Sequence, residues 1–226
     1  MISILIVHYG NYAMLQDCTK SIEAFTPLEH EILIHDNNLS ENLGFSKGVN
    51  LLLAKTKNDV VLLNPDTIVR PNWLEPLVES AKGRIGIVQS RLVRPDSTID
   101  STGHNWRYNK LMPVVGNREV DGPIDVRTCN FACVLIRKEV IQTVGLLDPH
   151  YFMFYEDVDY CLRANQKGWK IRYCPESTVV HLSHGSTNGQ PFNYPQSYNY
   201  FLRKHYPLRY LVRLSFRFYV WGKRHV

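Results

Sequence analysis

The order of short apolar runs and helical stretches over roughly the first 90 residues constrains this chain more than any other feature. The chain opens on Ile2-Ser3-Ile4-Leu5-Ile6-Val7, an almost unbroken β-branched run of the kind a buried parallel strand requires. Residues 12–25 then set Met14, Leu15, Cys18, Ile22 and Phe25 at helical spacing. Residues 31–35 read as a second strand, 48–55 as a helix and 60–63 as a third strand. A helix over 73–82 follows the start signal at Pro71, and 85–89 reads as a further strand. Strands alternating with helices predict an α/β, Rossmann-like fold: a mostly parallel central sheet flanked by helices. Ligands bind outside the carboxyl ends of the strands in such sheets. The polar clusters Tyr9-Gly10-Asn11, Asp36-Asn37 and Asn64-Pro65-Asp66 each follow a strand, so all three are expected at one crevice.

The second half is less regular. Residues 93–117 are polar and loop-rich, 127–136 read as a strand, and 138–144 as a short helix. A helix over 156–167 stops at Gly168, and 170–174 and 178–180 read as short strands. A chain of 226 residues suits one sizeable core, so residues 1–194 are expected as one domain and 195–226 as a helical tail. The tail is basic and aromatic. It holds seven Lys and Arg residues and no acid, while the other nineteen basic residues face 21 acidic ones. That confinement argues against a nucleic-acid surface and for a local contact with something anionic. Arg209, Arg213 and Arg217 recur every fourth residue, with Tyr210, Leu211, Leu214 and Phe218 as apolar partners. The pattern suits an amphipathic helix on an anionic membrane surface, and equally a helix packed on the core with a solvated arginine face. The five cysteines form no C-x-x-C pair and read as small buried residues. The first residues lack a basic leader, and no apolar run approaches the ~18–20 residues of a spanning helix. The expectation is a cytoplasmic body without a signal peptide, peripheral on the membrane face if the tail binds there.

Several residues carry chemistry. A carboxylate at a strand end, such as Asp66, can hold Mn2+ or Mg2+ as a Lewis acid against a leaving phosphate; the same tripeptide also suits a turn. Glu156, Asp157 and Asp159 are three acids in four residues, which repel one another unless a cation or a catalytic task uses one. The aromatic run from Tyr151 to Tyr155 can supply a drier wall beside them. One of these acids suits removal of a proton from an acceptor hydroxyl, although an acidic helix start is favoured by the macrodipole alone. His181, after an apolar strand, can complete a metal shell with Asp66; His184 competes for that place. Asp36 and Asn37 can address a base edge or ribose, or simply form a turn. Trp169 can stack on an acceptor sugar or pack at a helix-to-strand corner. The stretch His104-Asn105-Trp106-Arg107-Tyr108 is a candidate lining of the acceptor groove.

Taken in order, the motifs Ile4-Leu5-Ile6-Val7-His8-Tyr9, Ile34-His35-Asp36-Asn37, Asn42-Leu43-Gly44-Phe45-Ser46-Lys47-Gly48-Val49-Asn50, Leu62-Leu63-Asn64-Pro65-Asp66-Thr67, Arg94-Pro95-Asp96 with Ser101-Thr102-Gly103, Gly145-Leu146-Leu147-Asp148, Phe152-Met153-Phe154-Tyr155-Glu156-Asp157-Val158-Asp159, and Val180-His181 with Ser186 resemble the family 2 glycosyltransferases of GT-A fold. The likeness is to the bacterial rhamnosyltransferase-like branch in particular and covers about residues 2–190. It implies an inverting, metal-dependent transferase moving a hexose or deoxyhexose from a UDP- or dTDP-sugar to a glycan or lipid-linked acceptor. It also implies that Asp66 ends the metal motif and His181 is the trailing metal ligand. Asn64 stands where many members have a first Asp, so the metal would rest chiefly on Asp66 and the donor pyrophosphate. By the same likeness, Tyr9 and Asp36 meet the base, and Asn42, Gly44 and Lys47 sit in the loop touching the nucleoside half. Asp157 would be the catalytic base, and Glu156 a neighbour shaping the acceptor site. The chain departs from the family at Lys47, where Gly or Ala is usual, and at Asn130-Phe131-Ala132, where glycine is common. An inactive binding protein of the same fold is the alternative, and Asp66, Asp157 and His181 argue against it. A sugar-1-phosphate nucleotidyltransferase would need a Gly-rich basic loop after the first strand, which His8-Tyr9-Gly10-Asn11-Tyr12 is not.

Overall fold

The structure is a computed structural model and describes residues 1–106, 113–115, 118–182, 194–208 and 211. The alternation at the start of the chain becomes β1 (Ile2–His8), α1 (Tyr12–Phe25), β2 (His30–Asp36), α2 (Gly44–Leu53), β3 (Asp59–Leu63), β4 (Thr67–Val69), α3 (Glu75–Ser80) and β5 (Ile85–Val93). Then follow β6 (Ile99–Ser101), β7 (His104–Trp106), β8 (Pro113–Val115), β9 (Ile124–Val126), β10 (Cys133–Ile136), α4 (Lys138–Val144), α5 (Glu156–Gln166), β11 (Lys170–His181) and α6 (Tyr194–His205).

The main sheet runs β2-β1-β3-β10-β5-β11-β4, with β6 on β5 and β9 on β11; β7 and β8 pair separately. The α/β layering is as expected: five of the seven strands on this path run the same way, and β10 and β4 are reversed. Strands β1, β2 and β3 are parallel, and β11 is parallel to β5. Strand β10 runs antiparallel between β3 and β5, and β4, β6 and β9 are antiparallel to their neighbours. The reason is connectivity. Strand β9 pairs with the first residues of β11, and residues 127–132 then lead past the cleft so that β10 enters at the carboxyl end of β3, with Cys133 opposite Leu63.

Local differences have local causes. Helix α2 starts at Gly44, before the expected 48, because Asn37 Oδ1 accepts from Leu43 N and Asn42 Oδ1 from Gly44 N. Helix α3 is shorter than 73–82 because Trp73 and Leu74 are core plugs, with Trp73 Nε1 donating to Thr26 Oγ1 at 3.0 Å. The expected strand over 127–136 is confined to β10, since residues 127–132 turn over the crevice. The two strands expected over 170–180 are one, kinked by a register shift between Cys174 and Thr178.

Both sheet faces are covered. Leu5, Leu62, Ile87, Val134 and Ile171 pack on one side beneath α2, α4 and α5. Ile4, Ile6, Val61, Val88 and Leu135 pack on the other with Ile22, Trp73 and Leu77. A third cluster joins α5 to α6 through Tyr151, Tyr155, Val158, Leu162, Tyr198, Phe201 and Leu202. The start of the expected tail, residues 195–205, is therefore packed on the body. Arg209, Tyr210, Arg213, Leu214, Arg217 and Phe218 lie outside the described residues, and Leu211 is exposed. No described helix is long and apolar enough to cross a membrane.

Trp169 corrects an expectation. It precedes β11 at the amino end of the sheet, the end opposite His181. Its Nε1 donates to Thr143 Oγ1 at 2.8 Å, and the Arg137 guanidinium lies 5.6 Å from the ring centroid. The corner-packing reading holds, so Trp169 is not an acceptor contact. The indole fits because residue 86 is glycine: a Cβ there would collide with Val140 Cγ2 and come within 2.8 Å of Trp169 Cε3. Gly86→Ala should lower stability by about 1–3 kcal/mol through overpacking, read as a lower urea midpoint at unchanged slope. An unshifted midpoint would contradict this packing.

Candidate active site

A cleft of about 490 Å³ opens at the carboxyl ends of β1, β3 and β11. That is ample for a nucleotide-sized ligand. Tyr9, Asn42, Gly44, Asn64, Asp66, Glu156, Asp157 and His181 line it, so eight of the expected site residues converge. Asp36 and Lys47 do not. Lys47 is on the exposed face of α2, while Gly44, Ser46, Gly48 and Val49 take the buried face. The donor contact expected of Lys47 is therefore not formed by this arrangement. Asp36 ends β2 next to the lining, with Oδ2 accepting from Tyr12 Oη at 2.8 Å and Oδ1 from Asn38 N at 2.9 Å. Burial would raise its pKa, but those donors and nearby His8 together hold it below the ordinary value. Its neighbour Asn37 lines the cleft instead.

One corner of the cleft is built by pairing β11 against β4. The register sets His181 opposite Thr67, and Leu182 N donates to Asp66 O at 2.9 Å. Asp66 is 4% exposed, and its buried Oδ1 has no hydrogen-bond partner among the described residues. It faces His181 Nε2 at 3.6 Å. On the far side of the imidazole, Nδ1 lies 2.9 Å from Asp100 Oδ2. Asp100 Oδ1 in turn lies 2.7 Å from Arg94 Nη2. The turn between β5 and β6 brings these last two together: Asp96 Oδ1 accepts from Thr98 N and Oγ1, and Arg94 N donates to Thr98 O. Arg94 and Asp100 both line the cleft.

This donor set fits a divalent cation. A buried carboxylate oxygen left without a partner is costly unless a ligand uses it. An imidazole oriented by a second carboxylate is a common metal ligand. Among the described residues no group of three or more His, Cys, Asp and Glu side chains is arranged to hold a metal. Asp66 and His181 would therefore be the two protein ligands, and oxygens of a bound ligand would complete the shell. His184 and Ser186 lie outside the described residues.

The opposite corner is the start of α5. Phe154 and Tyr155 both adopt φ of 69°, the left-handed region, directly before Glu156 and Asp157. Asp157 Oδ1 accepts from Val158 N at 2.7 Å. Burial pushes the Asp157 carboxyl up to about 7. Glu156 is 7% exposed, and its Oε2 has no partner among the described residues. Burial, and then the neighbouring Asp157 charge, push its pKa well up. The start of α2 packs on the segment before α5 at Gly44: its φ is +76°, a Cβ there would collide with Phe152 O, and Phe45 N donates to that same oxygen at 2.8 Å.

Sequence reasoning missed a role for Arg94, which stood in a motif without one, and missed Asp100 altogether. No local signal marks Asp100, because its contact with His181 exists only once the β5–β6 turn and β11 are in place. His104 is buried and 3.3 Å from Thr128 Oγ1, so it is not a groove residue. Arg107 and Tyr108 lie outside the described residues.

The metal-side corner makes a measurable prediction. Burial lowers the His181 pKa, but Asp100 and Asp66 outweigh it and raise it to about 9. The folded value lies above the ordinary 6.5, so this pairing stabilises the metal-free fold fully below pH 6.5. The contribution fades as pH rises through about 9. Imidazole resonances of metal-free protein should titrate near 9, and Asp100→Asn should bring the midpoint back toward 6.5. Identical titrations in the two proteins would remove Asp100 from this role.

A sequence model described as glycosyltransferase like family 2 matches residues 4–194. One relative is the N-acetylglucosaminyl-diphospho-decaprenol L-rhamnosyltransferase of Mycobacterium tuberculosis, 24% identical over 181 residues, covering 66% of this chain and 59% of that protein. Another is dTDP-rhamnosyl transferase RfbF of Shigella flexneri, 24% identical over 203 residues, covering 85% of this chain and 64% of that protein. The chain thus spans 59% and 64% of the length of these two relatives. Among solved structures, GalNAc-T7 with UDP, GalNAc and Mn2+ is similar at a TM-score of 0.69, covering 90% of this chain and 48% of that one at 17% identity. That likeness shows a shared GT-A fold. With the family match extending from β1 to the start of α6, the chain belongs to glycosyltransferase family 2.

Proposed function

We propose that this chain is an inverting, metal-dependent glycosyltransferase acting on a nucleotide-sugar donor. One observation carries the reading. A single cleft holds a buried Asp66 oxygen that faces His181 and has no hydrogen-bond partner among the described residues and, in its other corner, a carboxylate, Asp157, whose pKa burial raises to about 7. The first corner suits a leaving diphosphate and the second an incoming hydroxyl.

Asp66 and His181 would hold Mn2+ or Mg2+, which supplies positive charge to a diphosphate leaving group. Arg94, half-exposed in the cleft beside Asp100, adds a fixed cation on that side. Tyr9, Asn42, Gly44 and Asn64, which line the cleft, would wall the donor side, and Asn37, which also lines it, would meet the nucleoside in place of Lys47. Asp157 acts as general base, removing the acceptor hydroxyl proton as the oxygen attacks the anomeric carbon from the face opposite the leaving group. Direct displacement of that kind inverts the anomeric centre. Glu156 borders the acceptor hydroxyl.

The relatives' names narrow the substrates. A dTDP-rhamnosyl transferase supports a dTDP-deoxyhexose donor, and a diphospho-decaprenol rhamnosyltransferase supports a lipid-linked acceptor. A neighbour crystallised with UDP and Mn2+ keeps UDP-hexoses in view. A basic tail on an anionic membrane face would suit a lipid-linked acceptor.

Asp157→Asn should cut transfer by about 10²–10⁴-fold while donor affinity stays within about twofold; full transfer in that variant would remove Asp157 as the base. Protonation of Asp157 blocks its role, so kcat/KM in the wild type should rise from acid pH and level off above about 7. Asp66→Ala should weaken Mn2+-dependent binding of UDP or dTDP by about tenfold or more by calorimetry. Equal affinity with and without the Asp66 carboxylate would count against its metal role.

A further inference from the structure

Helix α6 shares no residue with the cleft lining, yet it grips the segment that carries Asp157 at three places. Ahead of the turn, Asp148 Oδ2 accepts from Tyr200 Oη at 2.9 Å and lies 2.7 Å from Lys204 Nζ. Beyond it, fully buried Asp159 lies 2.7 Å from both Lys204 Nζ and His205 Nε2, while its other oxygen takes Arg163 Nε at 2.9 Å. At the turn itself, Ser197 Oγ donates to Met153 O at 2.8 Å. The Tyr155 ring lies 5.5 Å from Tyr198 and 5.0 Å from Phe201.

What is gripped is strained. Phe154 and Tyr155 are consecutive non-glycine residues in the left-handed region. Such a conformation persists only where its surroundings over-determine it. Without the turn, α5 would start elsewhere and Asp157 would leave the cleft.

We infer that α6 is a positioning element of the active site: Ser197, Phe201 and Lys204 hold the Phe154-Tyr155 turn so that Asp157 faces the cleft. This rests on the reading of Asp157 as the base, and it makes α6 part of the transferase body rather than an appended tail.

The test uses the full chain carrying Ser197→Ala or Lys204→Met, with Lys204→Arg as the conservative control. Amide hydrogen exchange is followed over residues 152–160 and over β1 and β5. In parallel, kcat is measured at saturating donor, and the Kd for UDP or dTDP with Mn2+ by calorimetry. Both variants should exchange faster over 152–160 with the sheet strands unchanged. Their kcat should fall roughly ten- to hundredfold, the scale of small misplacements of a reacting group. Nucleotide affinity should stay within about twofold, and Lys204→Arg should keep most of the turnover. Unchanged exchange over 152–160 in both variants overturns the proposal whatever the activity. So does faster exchange with full kcat, or a uniform rise in exchange that includes β1 and β5. A wild type inert toward every nucleotide sugar would instead sink the transferase reading, and the exchange measurement would still decide what α6 holds.

Discussion

Strand β10 is the contact on which the rest depends. Its Cys133–Ile136 backbone pairs with β3 on one side and β5 on the other, joining two sets of strands that would otherwise end in bare edges. All four of its side chains are buried to 1% exposure or less. Such burial contributes about 1.5–3 kcal/mol for each large apolar chain. The stretch leading into it, Asn130 to Ala132, is also cleft wall. There Asn130 N donates to buried Gln89 Oε1, Ala132 N to Asn130 Oδ1, and Asn64 N to Ala132 O. The polar residues over the cleft thus follow directly from closing the sheet.

Electrostatics then divides the cleft into two unlike corners. On the β4–β11 side charges alternate: Asp66, His181, Asp100, Arg94. Asp100 sits between His181 and Arg94, while Asp66 Oδ1 meets His181 only at 3.6 Å, beyond hydrogen-bond distance, and has no other partner among the described residues. At the start of α5, Glu156 and Asp157 are two acids side by side, and burial raises both. The same chemical group is therefore held ready for a cation in one corner and for a proton in the other. Gly44 lets α2 close on the second corner, because the α2 start and Phe152 pack too closely there for any Cβ.

The aromatic run Tyr151 to Tyr155 serves both sides of this wall. Phe152 and Phe154 face the cleft, while Tyr151 and Tyr155 anchor the α6 cluster. Between the two sets the chain turns through the left-handed pair at 154 and 155.

Much of this was legible in the residues. The β-branched runs fixed β1 and β3, helical spacing fixed α1 and α5, and strand-end polar clusters located the cleft. These are short-range signals, set by side-chain periodicity and turn chemistry. Asp66 and His181 stand out as polar residues that end apolar runs, whereas Asp157 is singled out from its acidic neighbours only by the family resemblance. Asp100 could not be chosen, since a lone acid in a polar loop looks like any other until a hairpin turns it toward an imidazole 81 positions away. Trp169 was ambiguous for the same reason: a helix-to-strand corner lies at either end of a sheet, and only the strand's direction says which. Lys47 and α6 follow that rule too. The sequence by itself determined the strand–helix alternation of the first 90 residues, the helix at α5, and where carboxylates meet strand ends; the short strands β4 and β6 to β9 carry too few residues for a periodicity to mark them. The tertiary structure alone decided that β10 runs backwards, which acids acquire a partner, and that α6 grips the turn before Asp157, because those outcomes depend on contacts between residues far apart in the chain.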